Sequence, residues 1–85
     1  MDKLVIIPTY NEKENIEAII TAVMNLPLTF HVLVIDDGSP DGTANIVKNL
    51  MNDTYAGRVH LIERSGTLGL GTAYITGFKW ALRLL

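Results

Sequence analysis

Two adjacent carboxylates, Asp36 and Asp37, end an apolar run in "HVLVIDDGSPDGTANIV". Two carboxylates sharing a proton would make an acid–base dyad, but successive residues of a strand point to opposite faces. One carboxylate then faces a ligand side, and the other bonds backbone N–H groups in the following turn. The competing reading makes both of them solvated turn formers, since Asp and Gly are common turn residues. A hard cation wants several converging oxygens, which neighbours on opposite faces supply poorly. Asp41 adds a third carboxylate, yet it equally suits the positive end of the next helix. A second polar group is "PTYNE", where Tyr10 can stack on a base and Glu12 can accept from base or ribose donors. Glu12 also suits the first turn of a helix as a dipole partner. The third is "RSGTLGLG", whose Gly66, Gly69 and Gly71 would let backbone approach a phosphate or another chain segment. A dinucleotide fingerprint would need glycine at the place of Tyr74 and would follow the first strand, so a structural turn is the default there. His31 and His60 lack ligand spacing and read as structural.

These groups need a scaffold, and the hydrophobic pattern supplies one. "KLVII" (3–7) and "HVLVI" (31–35) are β-branched runs apolar on both faces, the pattern of buried parallel strands, and "RVHLIE" (58–63) is a third, interrupted by His60. Asn11 with Glu14 predicts a capping box, and Ile16, Ile19, Ile20, Val23 and Met24 then form one helix face that closes at Pro27. Ser39 as N-cap and Pro40 at the first helical position predict a second helix, with Ala44, Val47, Leu50 and Met51 inward. After a loop over 66–71, Tyr74, Gly77, Phe78, Ala81, Leu82 and Leu85 predict the buried face of a third. No internal repeat or linker interrupts this β-α-β-α-β-α order. Alternation with short connections implies an α/β fold: a parallel sheet with right-handed crossovers, covered by helices. Ligands of such sheets bind at the carboxyl ends of the strands, and all three polar groups fall there.

Composition narrows the function classes. The 85 residues fit one small domain, 48% hydrophobic and 19% charged, as in folded globular chains. A net charge of -2 gives no basic footprint and argues against nucleic acid as a partner. The absence of cysteine excludes a disulfide framework and a cysteine zinc site. No segment nears the ~20 consecutive apolar residues of a membrane span. The four apolar residues before Pro8 are too few for a signal peptide. A soluble, unprocessed segment is the expectation. The final "ALRLL" carries no helix stop signal, which predicts a helix cut in mid-architecture.

Taken together, "VIIPTYNEKENI", "VLVIDDGSPDGTANIV" and "LGLGTAYITGFKWAL" resemble the nucleotide-binding half of family 2 glycosyltransferases, closest to the dolichyl-phosphate (polyprenyl-phosphate) mannosyltransferases. The resemblance covers the whole chain but only the first part of that family's catalytic domain. It implies the N-terminal half of a GT-A, Rossmann-like fold, with a nucleotide sugar lying across the carboxyl edge of the sheet. By motif, Pro8, Tyr10 and Glu12 would line the nucleoside pocket, joined by Ile35 and Asp37, with Asp37 accepting from base N–H groups and Asp36 fixing the turn.

The implied reaction moves mannose from GDP-mannose to a dolichyl or polyprenyl phosphate, assisted by Mg²⁺ or Mn²⁺, at the cytoplasmic face of a membrane. The family's metal-binding Asp-x-Asp lies on a later strand, and none occurs in these residues. Lacking that electrostatic clamp on the leaving nucleotide, the segment is expected to bind no metal, carry no catalytic residue and be inactive alone. Membrane contact would come only through the acceptor or regions outside these residues. A related donor such as UDP-glucose, or a non-catalytic α/β module, are the alternatives. The fold would also leave one edge of the first strand open, which predicts self-association or marginal stability.

Overall fold

The computed structural model describes residues 3–65 and 69–83. Three strands, β1 (Leu4–Thr9), β2 (His31–Asp36) and β3 (Val59–Glu63), alternate with three helices, α1 (Ile16–Met24), α2 (Thr43–Asn52) and α3 (Leu70–Leu82). The strands form one parallel sheet in the order β1-β2-β3. This is the α/β architecture that the alternating pattern implies.

The unbroken apolar runs follow from coverage on both sides. Along β2, Val32 and Val34 pack with Ile16, Ile20 and Met24 of α1 and Val47 and Leu50 of α2, while Leu33 and Ile35 pack with Ala73 of α3. All four of these β2 residues are fully buried. The sheet thus carries a thick core under α1 and α2 and a thinner one under α3, completed by Leu4, Ile6, Ile62 and Trp80. At the foot of the sheet, the His60 ring stacks on His31 at 5.6 Å and meets Trp80 at 4.9 Å.

The helix starts, the face of α3 and Ile19 of α1, which is exposed, differ from the pattern's prediction. α1 begins at Ile16, and Asn11 instead adopts a left-handed conformation with φ 55°. The expected capping box is displaced because side chains of the β2–α2 loop and of the first residue of α2 take the N–H groups of Asn11, Glu12 and Lys13. α1 also ends at Met24, ahead of Pro27. α2 begins at Thr43 after Gly42, whose φ of 93° suits glycine, and Ser39 binds Asp36 instead of capping. Gly71 lies inside α3, Gly69 stands just before it, and Gly66 and Leu85 fall outside the described residues.

The inward side of α3 runs through Ala73, Gly77 and Trp80, whereas Tyr74, Phe78 and Leu82 are 42%, 61% and 67% exposed. Close approach decides the face. A Cβ on Gly77 would stand 2.8 Å from Cδ1 of Ile6, so the small-residue side is the one that can reach the sheet.

Candidate functional site

The three strands end level with one another: Thr9 pairs with Asp36, and Asp36 with Glu63. The ladder continues one step beyond them. The Asp37 N–H donates to the Thr9 carbonyl at 3.0 Å, and the Arg64 N–H to the Asp36 carbonyl at 2.8 Å. Tyr10, Asp37 and Arg64 therefore leave the sheet along one line.

The two aspartates part company at this rim. Asp36 turns toward the α1–α2 side and is 2% exposed. It accepts from the Thr9 hydroxyl at 2.7 Å, the Ser39 N–H at 2.9 Å and the Ser39 hydroxyl at 2.6 Å. That set closes the turn after β2. Asp37 lies on the opposite side, 6% exposed, and its two oxygens accept from Nε and Nη2 of Arg64 at 2.6 and 2.9 Å. The remaining Arg64 nitrogen, Nη1, donates to the Thr72 hydroxyl at 3.1 Å and reaches the Thr76 hydroxyl at 3.5 Å, both on α3.

Three bonds fasten the loop after β1 to the loop after β2 and the start of α2. Asn11 N–H donates to the Ser39 hydroxyl, Glu12 N–H to the Thr43 hydroxyl and Lys13 N–H to the Asp41 carboxylate. The Thr43 hydroxyl first, and then the backbone N–H groups of Lys13 and Thr43, hold the Asp41 carboxyl below its ordinary value. Asp41 is thus a fastener between loops.

Of the residues expected to line a nucleoside pocket, Tyr10 is 49% exposed and Glu12 is half-buried with Asn15 Nδ2 at 3.5 Å from its carboxylate. Pro8 is half-buried on β1, a border strand where a missing N–H is tolerated. Ile35 is fully buried beneath α3, its surface spent on the second core. The rim thus unites the backbones of Tyr10 and Asp37, brings Glu12 against the start of α2, and leaves Ile35 below. Arg64 is the residue that pattern reasoning passed over. Its one visible signal was its place at the tip of β3, the counterpart of Asp37 on β2.

The three rim segments form an open ledge. Clefts of about 260 and 270 Å³ lie elsewhere, between α1 and α2 and beside α3 at Trp80, and neither is lined by Pro8, Tyr10, Glu12 or Asp37. Volume alone is a poor guide here, because neither cleft contains convergent strand-end groups. Among the described residues no three His, Asp or Glu side chains gather as a metal site. Nor is any described helix long and apolar enough to cross a membrane.

The sequence profile of glycosyl transferase family 2 matches residues 4–83. The chain belongs to glycosyltransferase family 2. This family 2 chain is 49% identical over 81 residues to polyprenol monophosphomannose synthase of Mycolicibacterium smegmatis, covering 94% of this chain and 30% of that protein. It is 42% identical over 85 residues to undecaprenyl-phosphate mannosyltransferase of Micrococcus luteus, covering 96% of this chain and 33% of that one. Its fold superimposes with a TM-score of 0.80 and 29% identity on the mannosyltransferase PcManGT from Pyrobaculum calidifontis, solved in complex with GDP-Man and Mn²⁺. That match covers 89% of this chain and 23% of the other. The chain thus spans about a third of the length of the curated relatives it matches.

Proposed function

We propose that these residues are the donor-nucleotide half of a mannosyltransferase that moves mannose from GDP-mannose to a dolichyl or polyprenyl phosphate. The observation that carries this reading is the line of Tyr10, Asp37 and Arg64 leaving three level strands. It occurs in a chain nearly half identical to a polyprenol monophosphomannose synthase. In this role Tyr10 stacks on the base, Glu12 accepts from base or ribose, and Asp37 accepts from base N–H groups. Pro8 borders the pocket, and Ile35 supports its floor.

Turnover belongs to a longer parent. A divalent ion, Mg²⁺ or Mn²⁺, would stabilise the leaving diphosphate there, and the acceptor phosphate would bring the parent to the cytoplasmic face of a membrane. The 85 residues are one half-domain that binds and does not transfer. Mn²⁺ in PcManGT supports a metal in related enzymes.

Titration of GDP into the ¹⁵N-labelled chain tests the pocket. Amide signals of Tyr10, Glu12 and Asp37 are expected to move at millimolar ligand, and more with GDP than with UDP. Stationary signals at these three positions defeat the donor-site assignment, and a preference for UDP redirects it to another nucleotide sugar. Mannosyl transfer by the isolated chain would overturn the binding-only reading.

A further inference from the structure

We infer that Asp41 is a positioning residue of the nucleoside pocket: with Ser39 and Thr43, it holds the bend between Tyr10 and Glu12 in its binding shape before a nucleotide arrives. The inference rests on the donor-site reading above.

The bend is costly backbone. Asn11, at φ 55°, is the one non-glycine with positive φ among the described residues. A residue with a Cβ stays in that conformation only where its surroundings impose it. Three successive N–H groups do so here. Asn11 donates to the Ser39 hydroxyl at 2.9 Å, Glu12 to the Thr43 hydroxyl at 3.0 Å and Lys13 to Oδ2 of Asp41 at 3.1 Å.

The acceptors are themselves braced. Ser39 gives both its N–H and its hydroxyl to Asp36. Thr43, fully buried, gives both of its donors to Oδ1 of Asp41. That commits the Thr43 hydroxyl proton and leaves its oxygen to accept from Glu12. Asp41 therefore acts twice, taking Lys13 directly and fixing the group that takes Glu12. Tyr10 and Glu12 stand on either side of the bend, so a shift of the bend displaces both. A nucleotide that met an open bend would first have to order it. Its apparent affinity would fall by the fraction of molecules already in the binding shape.

Hydrogen exchange of the wild-type chain gives the first test. The amides of Asn11, Glu12 and Lys13 should be protected without nucleotide, and added GDP should leave that protection nearly unchanged. Protection that arises only with GDP overturns the inference. The second test compares the GDP dissociation constants of the wild type, Asp41→Asn and Asn11→Val, with thermal melts to confirm folding. Asp41→Asn keeps an oxygen for Thr43 but sets an amine against the Lys13 N–H, and should weaken GDP by about tenfold, the worth of one hydrogen bond. Asn11→Val removes no bond of the lock and makes positive φ dearer for a β-branched residue, so a loss of about tenfold is again expected. A residue that only ties the loops together would lower the melting temperature and leave the dissociation constant where it was. That result in a folded variant overturns the inference and leaves the donor-site reading standing. If neither variant folds, the wild-type exchange result decides. A wild type whose Tyr10, Glu12 and Asp37 signals ignore GDP defeats both readings.

Discussion

Asp36 and Asp37 share a residue type and a peptide bond yet do different work, because the strand sends them to opposite faces. The alternation made that division legible in the sequence, and the turn falls to Asp36, as the family resemblance implies. The partner of Asp37 was not legible. Arg64 lies 27 residues away, and a single sequence carries no sign of which distant cation a strand-end carboxylate meets. The same holds for Ser39, Asp41 and Thr43, whose grip on the loop after β1 overrode the local capping signal. Asp36 is the residue on which the turn depends. Its replacement by alanine strands the buried Thr9 hydroxyl and the Ser39 donors, and should cost about 2–3 kcal/mol in urea unfolding. In so small a domain that is a large fraction of total stability. A variant unfolding at the wild-type urea midpoint would contradict the hydrogen-bond account.

The elements themselves were largely written in the hydrophobic pattern. Unbroken apolar runs announced the strands, and helical spacing announced α1 and α2, because both signals record local burial. The face of α3 was not, because an apolar stripe of Tyr74, Phe78 and Leu82 competed with a line of small residues. Packing distance chose the latter at Gly77. His60 is the other element-level departure, a polar residue inside β3 that is accommodated by stacking on His31 and by a tilted contact with Trp80. Burial, and then repulsion from His31, hold the His60 pKa below its ordinary value of 6.5. The unfolded chain therefore binds this proton more readily. Stability should be complete above about pH 6.5 and decline as pH falls through that value toward the folded pKa. The melting temperature of the wild type should drop between about pH 7.5 and 5.5. His60→Leu should show a shallower drop, and identical slopes for the two chains would assign the acid sensitivity to other groups.

For the molecule as a whole, burial is uneven. β1 and β3 border the sheet, and α3 displays Tyr74, Ile75, Phe78 and Leu82 to solvent. Unpaired strand borders beside an apolar helix face favour association with another chain. Sedimentation of the isolated chain should show a mass that rises with concentration, and Phe78→Glu with Leu82→Glu should return it to the monomer. A monomeric mass in concentrated wild-type solution would refute this. One geometric consequence follows from α3 lying on the side of the sheet opposite α1 and α2. The first two crossovers advance from β1 toward β3 with their helices on one side, so the prevailing right-handedness makes a crossover on the other side travel backwards. Any additional parallel strand entered from α3 would alight outside β1. The direction of winding would then reverse at β1, and the seam opened by that reversal would lie directly above Pro8, Thr9 and Tyr10.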